Sequence, residues 1–338
     1  MKRLDQTPRY GLRFAVLGAV FAAALIGSVF LGHFHLTLSE FASLLGLSGT
    51  PVRNGAYNVL FQIRLPRIAA AAMVGAALAS AGASYQGMFR NPMVSPDILG
   101  ASTAAGFGAS MAILLGFGYF GITLTAFVFG IGAVLLSYLI SRLSHANETL
   151  ALILAGMVVS SLFSAGTSFI KLIADTQNQL PEITYWLMGS LSSIKQKDVI
   201  FLVIPFVLGL LPLMILRWRI NLLTVGEDEA KTMGVNTTAL RLTVIGCATL
   251  LTASAVAVSG MIGWVGLIVP HFCRMLFGSD YRRLLPATAL FGGAFLLVTD
   301  DIARTLTTGE IPIGILTAYV GAPIFLWLIL RGGVRRAR

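Results

Sequence analysis

Three sets of residues in this 338-residue chain could do chemistry. Glu227, Asp228 and Glu229 stand side by side, followed by Ala230 and, five positions after the last acid, Gly234. Such a short acidic helix, shown to water, offers charge-assisted contacts to a soluble partner. Arg64 and Arg67 bracket Pro66, and Arg304 follows Asp300 and Asp301 by four and three positions. A guanidinium grips a carboxylate through two parallel hydrogen bonds, so these arginines either dock on acids of a partner or are spent locally. Local pairing of Arg304 with Asp300 or Asp301 suits helical spacing. The third set is the hydroxyls Ser160, Ser164, Thr167 and Ser168 within one apolar run. They either line a polar path or bond their own helix backbone.

Catalytic constellations are missing. A phosphate-cradling loop ends in Gly-Lys, and none of the five lysines follows a glycine, so ATP has to be hydrolysed elsewhere. His-Glu-x-x-His does not occur. Asp300 and Asp301 are adjacent and point about a third of a turn apart, unlike an acid dyad facing across two helices. His271 stands alone near a helix end, His33 and His35 sit at a boundary, and Cys247 with Cys273 are too few for a metal cage. The chain reads as a non-enzyme that binds no metal or cofactor of its own.

The elements that position these groups are membrane spans. The hydrophobic fraction is 56% and the charged fraction only 11%, against about 25% in an ordinary soluble domain. A span needs about 20 apolar residues to cross about 30 Å of hydrocarbon. About ten candidates run over 13–34, 66–87, 98–117, 121–142, 149–173, 199–217, 239–259, 261–278, 286–306 and 311–330. The expected fold is therefore all-α integral membrane, one polytopic domain over 1–338, with a polar segment at about 219–238. The stretch 174–198 reads as an outer loop with a short interfacial helix around Tyr185 and Trp186. The first span is longer than a signal-peptide core and lacks a small-residue cleavage site, so it is read as retained.

With ten spans, only Arg53, Arg64, Arg67, Lys171, Lys195, Lys197 and Arg304 of the 24 basic residues fall on the side opposite the termini. Both termini are then cytoplasmic. The net charge of +10 is explained by that bias and by anionic lipid, without nucleic acid. Small residues such as Gly75, Ala79, Ala83, Gly292 and Gly293 suit close helix packing. Gly82, Pro92 and Gly100 match Gly260, Pro270 and Gly278, each 178 positions on, which is either chance or a trace of duplication.

The order of Arg64-Leu65-Pro66-Arg67, Gly75-Ala76-Ala77-Leu78, Asn91-Pro92 with Pro96 to Gly100, Gly263 to His271, Glu310-Ile311-Pro312-Ile313-Gly314 and Gly321-Ala322-Pro323 resembles the permease subunits of ATP-driven type II importers for iron-siderophore, haem and cobalamin. The resemblance runs from about residue 12 to the C-terminus. It implies a ten-span subunit acting as a homodimer in a bacterial or archaeal cytoplasmic membrane. It implies two cytoplasmic ATPase subunits, holding ATP and Mg, that grip Glu227 to Gly234. It also implies an extracytoplasmic binding protein whose glutamates dock on Arg64, Arg67 and Arg304, and a cytoplasmic gate around Glu148 and Thr149, where Leu150 departs from the family's hydroxylated pattern. Siderophore, haem, cobalamin and oxyanion cargo all remain open. The competing class is an ion-coupled secondary transporter, which normally carries carboxylates near the bilayer midplane. Here Asp97, Glu148, Asp198, Asp280, Asp300, Asp301 and Glu310 fall near span ends.

Overall fold

The computed structural model describes residues 7–48, 51–144, 147–307 and 309–336, and among them every regular element is helical. Helix α1 (Thr7–Phe30) is followed by the short α2 (Leu38–Leu44) and by a π-helical turn, Asn58–Arg64, that runs into α3 (Leu65–Met88). Then come α4 (Ala101–Leu114), α5 (Tyr119–Leu143), α6 (Glu148–Ile173), α7 (Gln179–Met188), α8 (Gln196–Val225) and α9 (Glu227–Thr232). The last four are α10 (Thr237–Ser259), α11 (Val265–Phe277), α12 (Tyr281–Thr305) and α13 (Ile313–Arg336).

Seven of these helices are long and apolar enough to cross a membrane: α1, α3 with its π-turn, α5, α6, α8, α10 and α12. Two predicted spans are shorter than their apolar stretches suggested. Helix α4 has 14 residues and α11 has 13, about 20 Å of rise against the about 30 Å of a bilayer core. The cause is local: Gly100, at φ 86°, starts α4 late, while Gly260 and Trp264, at φ 68° and 71°, break the backbone ahead of α11. Non-helical backbone at this depth is tolerable where protein covers it. Gly189 O accepts from Ile313 N (2.9 Å) and Ser259 O from Ser190 N (2.8 Å), closing the node where α7, α10 and α13 meet.

Helix α3 is the axis of the fold, enclosed by α8, α10, α11 and α12. Its small residues make this possible. A Cβ placed on Gly75 would lie 2.2 Å from Gly292 O, so α3 and α12 touch backbone to backbone, with Ala79 against Gly292 in the same seam. Around α3 the outer faces of α5, α6 and α8 display Leu, Ile, Val and Phe side chains outward, as lipid-facing helices do.

Helix α7, which carries Tyr185 and Trp186, is the short helix expected within 174–198. Helix α8 does not stop at 217 but continues to Val225, so its 30 residues span about 45 Å and carry Arg217, Trp218 and Arg219 beyond the predicted membrane edge. The faint repeat is not structural: Gly82 lies inside α3 whereas Gly260 ends α10, and Pro92 is in a loop whereas Pro270 is inside α11.

Candidate coupling, gate and outer-end sites

Gly226 breaks α8 and the chain forms the six-residue α9. Its first turn holds Glu227, Asp228 and Glu229. The side chains of Glu227 and Asp228 lie outside those described; Glu229 is exposed and Ala230 is buried. The helix ends in a Schellman turn: Val235 N–H donates to Ala230 O (3.1 Å) and Gly234 N–H to Lys231 O (2.9 Å). Gly234 sits at φ 78°, which L side chains rarely adopt, and its Cα faces open space. Asn236 then caps α10 by accepting from Ala239 N (2.9 Å). The sequence-predicted segment is thus a polar helix and a hydrogen-bonded turn between two long helices.

Glu148 and Thr149 form the first turn of α6, with Asn147 as cap accepting from Thr149 N (3.0 Å) and Leu150 N (3.4 Å). Arg241 Nη2 donates to Thr149 Oγ1 (2.9 Å), and Arg241 Nη1 pairs with Glu148 Oε2 at 3.4 Å. A cavity of about 120 Å³ opens here between α5, α6, the end of α3 and α10, lined among others by Arg142, Thr149, Leu152, Thr238 and Ile245. Arg241 was not singled out by sequence reasoning; only its contact with Thr149 and Glu148, 92 and 93 positions away, distinguishes it from the other cations.

The candidate path hydroxyls fare unevenly. Thr167 and Ser168 donate to Phe163 O and Ser164 O of their own helix (2.9 and 3.0 Å), the backbone-bonded alternative. Ser164 is exposed, and Ser160 packs against Gly100 of α4 rather than opening on a channel within this chain.

Arg64, Arg67 and Arg304, at the opposite end of the helices from α9, are only 3%, 5% and 5% exposed, so none presents its guanidinium as a surface. Arg64 donates to Val29 O (2.6 Å) and Phe34 O (2.5 Å), tying the π-turn to the end of α1. Arg67 takes both oxygens of Asp300 and reaches Glu310 Oε1 at 2.8 Å. Arg304 pairs with Asp301 and donates to Ser28 O, while Ser28 Oγ donates to Asp301 (2.6 Å). Local pairing of Arg304 follows the helical spacing, but Asp300 is committed to Arg67. The reason is desolvation: charges at this depth are tolerated only when paired and hydrogen-bonded.

Sequence reasoning also passed over α2. Thr37 and Glu40 make a reciprocal capping box, and Arg53 donates to Glu40 Oε2 (2.8 Å). That arginine bond, with the Thr37 backbone, holds the Glu40 carboxyl at about 2, well below its ordinary range.

An enclosed small-residue core, apolar side chains displayed on the outer helices and seven helices long and apolar enough to cross a membrane describe a multi-pass membrane protein. Residues 20–331 match the FecCD transport family, and the chain belongs to it. It is 41% identical to the molybdate import system permease protein MolB of Haemophilus influenzae, over 98% of each chain. It is 40% identical to a probable iron chelatin transport system permease protein of Helicobacter pylori, over 81% of this chain and 82% of that one. A solved ABC transporter assigned to the metal-chelate type, captured facing inward, superposes with a TM-score of 0.85 at 41% identity, covering 93% of this chain and 97% of the other. The protein is accordingly the permease subunit of an ATP-driven importer.

Proposed function

We propose that two copies of this chain enclose a translocation path in a bacterial or archaeal cytoplasmic membrane, with both termini in the cytoplasm. Two separate ATPase subunits, holding ATP and Mg, grip α9, and an extracytoplasmic binding protein delivers a metal chelate to the outer end. The observation that carries this reading is the Gly226-to-Asn236 hairpin. It is polar, joins two long helices and has Ala230 buried and Gly234 locked, as a handle for an outside force requires. Closure of the ATPase pair would move α9, and packed helices would pass the motion on as a switch between discrete arrangements.

The three outer arginines serve docking indirectly in this reading. They hold α1, α3, α12 and the Glu310 segment in one shape, and the binding protein meets the surface that this network supports. Ion coupling finds no seat. Asp300 and Asp301 are neutralised by arginines, Asp97 accepts from Ser102 N (2.6 Å) at the start of α4, and Asp198 caps α8.

The cargo is a chelated transition metal, the theme of the iron chelatin relative and of the solved neighbour's type. A second reading, a metal oxyanion, is favoured by the molybdate relative, which matches the whole chain where the iron chelatin relative matches less. The test is co-purification with the products of neighbouring genes, then ATPase and uptake in liposomes with radiolabelled ferric siderophore and with molybdate. Uptake that stops without ATP but survives collapse of the proton gradient supports the importer. Uptake driven by an ion gradient by the chain alone overturns it.

A further inference from the structure

Helix α6 packs along α4 and α5, and its backbone scarcely approaches α10. The cavity of about 120 Å³ separates their cytoplasmic ends, and the Arg241 side chain crosses it. We propose that Arg241 is a positioning residue that latches the first turn of α6 to the coupling hairpin, so that movement of α9 is delivered to Thr149 and Glu148. The proposal rests on the reading of α9 as the ATPase contact.

The covalent path is short. Helix α9 ends at Thr232, the turn over 233–236 is closed by the bonds of Gly234 N to Lys231 O and Val235 N to Ala230 O, Asn236 caps α10, and Arg241 lies in the second turn of α10. A tilt of α9 therefore swings the Arg241 side chain. At the far end, the Arg241 bond to Thr149 acts on a residue whose own N–H is held by Asn147, so a pull is felt by the start of α6 rather than by a loose side chain.

The strength of the contact suits a latch that opens in every cycle. Glu148 is 65% exposed on its side chain and stands 3.4 Å from Arg241, a pair that water readily replaces. The Thr149 bond, at 2.9 Å and with Arg241 mostly covered, sets the position, while Glu148 biases it. Arg142 lines the same cavity, so Glu148 keeps a cation nearby after release. The cavity itself gives Arg241 room to change rotamer without displacing packed neighbours.

The test uses the full complex with its ATPase subunits in liposomes and needs no cargo. In a chain with Cys247 and Cys273 replaced by alanine, Leu152→Cys places a thiol in the cavity wall. Its modification rate by a membrane-impermeant maleimide from the ATPase side is read without nucleotide and after vanadate trapping. The parent should change by about fivefold or more between the two states, the range of ordinary coupling. Arg241→Ala and Thr149→Val should compress that change to below about twofold while the partner subunits still hydrolyse ATP. Arg241→Lys should lie between, since an ammonium keeps the pair with Glu148 but not the fork. Should Arg241→Ala fail to assemble, Thr149→Val decides, because it leaves the arginine in place. An undiminished change in Thr149→Val or Arg241→Ala overturns the latch and spares the importer reading. A parent that assembles with its ATPase yet shows no nucleotide dependence overturns the latch together with the coupling role of α9.

Discussion

Arg67 and Asp300, 233 positions apart in sequence, meet side-on: Nε and Nη2 of the arginine each lie 2.9–3.0 Å from a carboxylate oxygen, in a site closed to water. The arginine's remaining arm reaches Glu310, so one side chain joins α3, α12 and the approach to α13.

Breaking that pair from one side should be costly. Arg67→Met leaves Asp300 buried and unpaired, a loss of about 3–5 kcal/mol, whereas Arg67→Met with Asp300→Leu should recover most of it. Thermal unfolding in detergent gives the order of the three proteins. The stable double variant then separates two roles. Retained capture of the binding protein assigns Arg67 to support of the outer surface, and lost capture returns it to direct docking.

Gly234→Val should cost about 1–2 kcal/mol locally, because a β-branched residue is forced into left-handed backbone. The expected result is a chain with its helices intact by circular dichroism that no longer stimulates or retains the ATPase. Gly234→Asn, which tolerates that backbone, should behave nearly as the parent. Equal coupling in both variants would argue that the turn's shape is irrelevant.

Gly75→Ala is a one-carbon change with nowhere to go. The new Cβ would meet Gly292 O at 2.2 Å, so α3 and α12 have to part, at about 1–3 kcal/mol. Its melting temperature should fall, whereas Gly18→Ala on α1, where nothing lies within 4 Å, should leave it unchanged.

The α2 region should loosen in acid. The Glu40 carboxyl is held at about 2 by Arg53 and Thr37, against 4.5 for a free carboxyl. A group whose pKa is lowered by folding stabilises above its unfolded value and loses that contribution as pH falls through the folded one. The capping box should therefore be intact at pH 5 and progressively lost between about 4.5 and about 2. A spin label at the exposed Leu47 should gain mobility over that window, and Glu40→Gln should show the same mobility at every pH.

The spans were legible because a twenty-residue apolar run has few other uses, and the α9 hairpin because acids are conspicuous in so apolar a chain. Contacts between distant elements were not. Nothing in Ile63-Arg64-Leu65-Pro66-Arg67 names Asp300 as a partner, and Arg241 is one cation among many until Thr149 is seen beside it. Helix ends misled where charge and backbone disagreed. Arg217 and Arg219 look like a membrane exit, yet α8 continues to Val225, while the run 261–278 is apolar as far as Pro270 and still holds a break at Trp264. The Thr37-x-x-Glu40 box was readable in principle, but a survey by hydropathy passes over a seven-residue helix.

The enclosure of α3 also has a consequence for how the protein is made. Its arginine, its serines and its row of glycines suit contact with other helices, and most of those helices are synthesised after it. Arg67 leaves the ribosome 233 residues before Asp300, an interval of about 10–50 s at ordinary rates of elongation. During that time a half-built protein holds a buried-type cation with no counter-charge. Helix α3 must be sheltered meanwhile, at the wall of the insertion machinery or against α1, and seated only when α12 emerges. A truncation ahead of α12 is expected to leave Arg67 without its Asp300 counter-charge and α3 without its most extensive neighbour.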